Sequence, residues 1–181
     1  MKITKSMLEQ LNACLEGKDW FDLNFPEGGE YQEVLDKLGA ENNYSYAEWL
    51  MSRIPADDSV LEVDEIKIDG NLFFAGKIVV KKTISVTGWL RAGGGIKAGR
   101  GIKAGWGIKA GDGIEAGGGI EAGWGIKAGD GIEAGEDWGI FAGIRIQLKS
   151  WSLHAKVIAK TRPQNLISGC WVDPENTEEE K

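Results

Sequence analysis

The sequence of 181 residues predicts a mainly β protein: a three-sided β-helix (β-solenoid) of 18 residues per coil, with a small α-helical N-terminal domain and a short C-terminal cap. Three observations carry this expectation. From Ile66 a large aliphatic residue recurs at every sixth position without a miss: Ile66, Leu72, Ile78, Ile84, Leu90, Ile96, Ile102, Ile108, Ile114, Ile120, Ile126 and Ile132. Two residues beyond each stands another apolar one. These are large at first (Ile68, Phe74, Val80, Val86) and then alanine from Ala92 to Ala134. A longer period overlies the hexads, because Trp106 and Trp124 lie 18 apart, as do Asp112 and Asp130.

Residues 1–62 read as an acidic helical domain. Ser6 with Glu9, and Ser45 with Glu48, have the spacing of capping boxes. Leu8, Leu11 and Leu15 form an apolar stripe that Gly17 closes. A second segment from about Glu30 places Val34, Leu35 and Leu38 on one side and stops at Gly39. A third runs from Tyr46 to about Arg53, with Ala47, Leu50 and Met51 inward. Trp20, Phe21, Leu23 and Phe25 crowd between the first two. So small a bundle is marginal alone and is expected to lean on the solenoid, capping its first end.

Residues 63–148 form the solenoid. Positions i and i+2 share one face of a strand, so each hexad is a very short strand with Ile and Ala inward and Lys or Glu outward. The flanking glycines turn the corners, where positive φ is expected. Three hexads make one coil, which stacks Trp106 on Trp124 along one edge and Asp112 on Asp130 along another, roughly 4.8 Å apart. Lys109 and Lys127 share the aspartates' neighbourhood. After Ile132 the register slips by two residues, Glu136 and Asp137, and resumes through Ile140 and Ala142 to Ile144, Ile146 and Leu148. The large-to-alanine change predicts a narrowing core.

Residues 149–181 form the cap and an acidic tail. Trp151, Leu153, Ala155 and Val157 alternate as a strand does. Leu166, Ile167, Cys170 and Trp171 fold over the last rung, and Glu178, Glu179 and Glu180 end the chain.

Composition then excludes several functions. The net charge of −7 is concentrated early: residues 1–62 carry five Lys/Arg against thirteen Asp/Glu. No basic stripe marks a direct nucleic-acid binder. No apolar run approaches the ~20 residues that span a bilayer, and no signal peptide opens the chain, so a cytoplasmic location is expected. With two cysteines far apart and one histidine, no disulfide framework, metal site or cofactor is expected. His154 lies beyond the repeat, Cys14 is expected to be a buried thiol, and two aspartates are too few for a calcium site. No catalytic residue is therefore assigned. The interaction candidates are the rigid aromatics Trp106 and Trp124, Asp112 and Asp130, and the acidic Glu27, Glu30 and Glu33.

The strings Ile66-Lys67-Ile68-Asp69-Gly70 and Gly107-Ile108-Lys109-Ala110-Gly111 resemble bactofilin-type polymer-forming β-helix proteins. That resemblance implies a right-handed solenoid. The competing left-handed hexapeptide helix wants a small residue where this chain places Trp, Asp or Arg. The helical N-terminus departs from the bactofilin pattern. The flanks Leu11-Asn12-Ala13-Cys14-Leu15-Glu16-Gly17 with Trp20-Phe21, and Pro163-Gln164-Asn165-Leu166-Ile167-Ser168-Gly169 with Trp171, resemble phage and prophage reading frames.

The leading functional expectation is a non-catalytic, phage-borne interaction protein in the host cytoplasm. It binds and blocks a host complex, an anti-CRISPR-like defence effector being the attractive case, because an acidic surface competes with nucleic acid. The alternatives are a self-assembling bactofilin-like protein, with a homodimer compatible with either reading, and a hexapeptide-type acyltransferase using His154. On stability, Ile114→Asp should unfold the solenoid by placing a charge in a dry core, whereas Lys109→Ala should hardly matter; thermal melts of the two variants check the assignment.

Overall fold

The computed structural model describes residues 1–176; the acidic Glu178, Glu179 and Glu180 lie outside the described residues. The chain begins with a two-stranded antiparallel pair, Lys2–Ile3 against Gly29–Glu30. Around it pack four helices rather than three: α1 (Lys5–Gln10), α2 (Leu15–Asn24), α3 (Tyr31–Ala40) and α4 (Tyr44–Met51). The expected stripe of Leu8, Leu11 and Leu15 is broken because Asn12 turns left-handed at φ 58°. Leu15 instead opens α2 and is 66% exposed.

Gly17 therefore sits inside α2 rather than closing a helix. Two expected caps also move upstream. Thr4 Oγ1 accepts from the Met7 amide (3.3 Å), and Asn43 Oδ1 from the Tyr46 amide (3.2 Å), so Ser6 and Ser45 lie inside helices. Cys14 is not a buried thiol. It is exposed at the start of α2, where its Sγ accepts from the Gly17 amide.

The remainder is a three-sided β-solenoid of parallel ladders. The first face holds Val60–Val63, Lys77–Val80, Ile96–Ala98, Ile114–Ala116 and Ile132–Glu133. On the second lie Ile66–Ile68, Ile84–Val86, Ile102–Ala104, Ile120–Ala122, Ile140–Phe141 and Leu166–Ser168. The third comprises Leu72–Phe74, Leu90–Ala92, Ile108–Ala110, Ile126–Ala128, Lys156–Ile158 and Cys170–Val172. Through the regular coils each residue pairs with the one 18 positions on: Ile84 with Ile102 and Ile102 with Ile120, for example. The aliphatic column is buried from Ile66 to Ile132, except Leu72, which is partly buried against it, and the inner alanines fill the space between.

The corners work differently from the expectation of positive φ. Within the regular hexads only Gly70 has one, at 135°. The glycine after each inner alanine is needed for another reason: the rung beneath occupies the place of its Cβ. A methyl on Gly111 would collide with the Gly93 carbonyl oxygen, and one on Gly129 with that of Gly111. Close approach along the stack, rather than backbone handedness, selects glycine there.

Docking of the helical unit depends on an open edge. The outermost strand of the third face, Leu72–Phe74, leaves backbone groups unpaired by any strand. Gln32 on α3 covers them: its Nε2 donates to the Phe73 carbonyl (2.9 Å) and its Oε1 accepts from the Ala75 amide (2.9 Å). Phe73, on the outer side of the wall, is buried in the helical core with Val34, Leu35 and Leu38. The unit thus closes this edge and also wraps onto the outer surface of the third face.

Beyond Ile132 the two-residue slip occurs as expected, and Ile140 pairs with Ile120. The next expectations fail. Ile144, Ile146 and Leu148 leave the wall in an excursion that starts at Gly143, and Leu148 is 93% exposed. Trp151 to His154 form α5 rather than a strand, and Val157 then rejoins the third face opposite Ile126. The ladder consequently runs past residue 148 to Val172. Ile167 points outward, while Leu166 packs against the core. No helix among the described residues is long and apolar enough to cross a membrane.

The corner geometry separates two glycine positions of the hexad, the one after the inner alanine and the one before the aliphatic residue. Gly111→Ala should cost at least about 2 kcal/mol, as overpacking does. Gly131→Ala, where nothing lies within 4 Å of the added carbon, should be neutral or stabilise by up to ~1 kcal/mol. Urea unfolding of both variants tests this.

Candidate functional site

One edge of the prism, between the second and third faces, is lined with aromatic rings. Trp106 and Trp124 stack as expected, with centroids 5.7 Å apart and planes at 25°. The column is longer than the repeat indicates. Trp89 lies 6.3 Å from Trp106, and Tyr44 of α4 stacks on Trp89 at 4.1 Å and 18°. At the other end His154 of α5 lies 5.0 Å from Trp124. The excursion of residues 143–155 leaves the wall at this same edge one rung further on, which brings His154 there. Each stacked pair contributes ~0.5–1.5 kcal/mol beyond area burial. Trp106 keeps 46% of its surface exposed.

Trp89 was not readable as part of the column because it precedes Trp106 by 17 positions rather than 18. It occupies the Gly107 register of its rung, and its indole fills the space that a Cβ on Gly107 would need. Gly107 is thus the sequence signal that accompanies it.

Beneath the rings the third face carries an outward row of Arg91, Lys109 and Lys127. Glu48 of α4 reaches over it. Its carboxylate pairs with Arg91, accepts from Lys109 Nζ at 2.5 Å, and accepts from the Tyr44 hydroxyl at 3.0 Å. Arg91, only 5% exposed, is the buried charge of the structure's described residues. Burial lowers its guanidinium below the ordinary value. Burial, then the charges of Arg91 and Lys127, draws the Lys109 ammonium down to about 8, against the attraction of Glu48. Lys109 is therefore not the dispensable outward lysine that its place in the hexad suggests.

Lys127 and Lys156 are exposed and enter no ion pair among the described residues. They flank a groove of about 230 Å³ whose walls also include Tyr44, Trp89, Lys109, Trp124, His154 and Ile158. The site is thus a rigid aromatic edge beside a short basic groove.

The other candidates lie elsewhere. Asp112 and Asp130 share the opposite edge, between the third and first faces, where Lys160 neutralises Asp130 at 2.5 Å. Glu30 and Glu33 are engaged at the start of α3: Glu33 Oε2 accepts from the Glu30 amide (3.4 Å), and Glu30 also holds the N-terminal ammonium (3.1 Å). Glu27 is exposed beyond them. Among the described residues no group of three or more His, Cys, Asp or Glu side chains could hold a metal ion.

The protein is a β-solenoid with an N-terminal helical unit. Residues 1–55, which span the antiparallel pair and all four of these helices, match the YdhT N-terminal domain family. No curated protein and no solved structure matches the chain.

The ion cluster can be tested directly. Glu48→Gln should destabilise the protein by about 3–5 kcal/mol, since Arg91 would be left buried without its counter-charge. Lys103→Ala, which removes an exposed pair with Glu121 at 2.9 Å, should cost under about 1 kcal/mol. Chemical denaturation of the two variants gives the comparison.

Proposed function

We propose that this is a non-catalytic interaction protein that clasps a host protein complex through the edge formed by Trp106 and Trp124. The observation that carries the reading is the half-exposed Trp106, held in a stack that runs from α4 to α5. Large aromatic side chains that are already immobile lose little entropy on binding and are favoured anchors. The lysines beside them suit a partner with acidic groups close to an apolar one.

The acidic helical unit, which adjoins this edge through Tyr44 and Glu48, adds long-range steering. It supports a more specific form of the proposal, in which a phage-borne inhibitor occupies a basic surface that its target uses for nucleic acid. The motivation is the excess of acidic residues over 1–62 together with the phage-type flanks.

The test uses the full chain. A host complex co-purified and cross-linked with the native protein should be lost from a Trp106→Ala, Lys127→Glu variant that circular dichroism shows to be folded. On the purified pair, loss of an anchor worth about 2 kcal/mol weakens the dissociation constant roughly 30-fold. Unchanged capture by the variant would remove this edge from the proposal. For the inhibitor form, adding the native protein should release nucleic acid from the captured complex.

A further inference from the structure

A second, unrelated feature lies inside the helical unit. Between α1, α2, α3 and α4 is a cavity of about 350 Å³, open on one side at Cys14 and Ser45. Ile3, Leu8, Phe21, Val34, Leu38 and Leu50 form its floor, and Trp20, Tyr46 and Trp49 line it as well. No charged side chain lines it, although residues 1–62 carry thirteen carboxylates. Its polar atoms are confined to Asn12, Cys14, Ser45, the Tyr46 hydroxyl, the two indole N–H groups and backbone.

The aromatic walls are fixed from outside. Trp20 Nε1 donates to Glu41 Oε2 at 2.7 Å, and Glu41 is itself tied to Lys37 at 2.9 Å. Trp20 meets Tyr46 edge-on at 6.2 Å. The Arg53 guanidinium lies over the Trp49 ring at 4.5 Å. Walls held in this way do not fold into the space they border, so a ligand finds its site already formed.

From this geometry we infer that the helical unit binds an uncharged aromatic molecule of about two rings. The size comes from volume: an apolar cavity of ~150 Å³ takes up one benzene, and this one is a little over twice as large. Neutrality comes from the lining, because nothing there would compensate a charge taken out of water. The surrounding carboxylates disfavour anions further. Indole and phenol rings at the wall favour a flat, π-rich ligand over an aliphatic chain.

The experiment titrates the full-length protein with prodan, an uncharged naphthalene dye whose emission reports polarity. Saturable blue-shifted emission with one dye per chain is expected. Ala13→Phe and Ser45→Phe each fill the cavity from a different wall and should weaken uptake at least about tenfold. Two such variants keep the test decisive if one fails to fold, folding being judged by circular dichroism and melting temperature.

In a Cys170→Ser background Cys14 is the sole thiol, and saturating prodan should slow its alkylation by iodoacetamide. The anionic dye anilinonaphthalene sulfonate should bind more weakly than prodan. Absence of saturable uptake by the native protein, or uptake unchanged in a folded filled variant, overturns the site. Equal or tighter binding of the sulfonate overturns its selectivity for neutral ligands. Trp106→Ala should leave prodan uptake intact, so this inference and the partner-binding edge stand or fall separately.

Discussion

At each corner that follows an inner alanine, from Gly93 to Gly135, the carbonyl of one coil occupies the volume where the next coil would carry a Cβ. That single steric condition governs the wall. It holds successive rungs at hydrogen-bonding distance, and it forbids the stack from slipping by a residue, because a slip would bring a side chain into the corner. With register locked, Ile96 must sit on Ile114, Lys97 beside Glu115 and Trp106 beneath Trp124. The aromatic edge is therefore a by-product of the corner constraint. Residues 18 apart in sequence become a column whether or not they attract one another, and attraction then adds to what geometry has imposed.

The link between the helical unit and this column is ionic at its centre. Glu48 joins Arg91, Lys109 and Tyr44, so one carboxylate ties the outer face of the solenoid to the first ring of the stack. A buried pair of this kind is weak evidence for stability, since desolvation offsets much of the attraction. It is well suited to fixing orientation. Of the outward row on the third face, Arg91 and Lys109 are satisfied by Glu48 of α4 and Lys127 is not, so the helical unit gives the groove a wall through Tyr44 but no counter-charge for Lys127 and Lys156.

The regular part of this molecule was legible in the residues because its rule is periodic. Ile66 to Ile132, the alanines after them, the two-residue slip and the Trp106–Trp124 pair all express a six- or 18-residue period. What broke the period was hidden. Trp89 lies one residue off register, and its place is marked only by the glycine beneath its ring. Residues 143–155 retained an alternating apolar pattern, yet they leave the wall as an excursion, because the alternation of Trp151, Leu153, Ala155 and Val157 does not distinguish a strand from a short turn of helix. The helix starts shifted because Thr4 and Asn43 cap two residues ahead of the serines whose spacing suggested a capping box. Glu48 and Gln32 act across more than forty residues of chain, and nothing local announces such partners.

Gln32 also sets how the coil can come apart. Its carboxamide imitates the backbone of a strand, donating and accepting where another rung would do both. The molecule thus carries a terminator for one of its three ladders, and the terminator belongs to a helix rather than to the wall. Unravelling of that ladder from its first strand must wait until α3 lets go, which gives the coil a direction: loosening starts at the opposite extremity, and the helical unit serves as the knot in the thread.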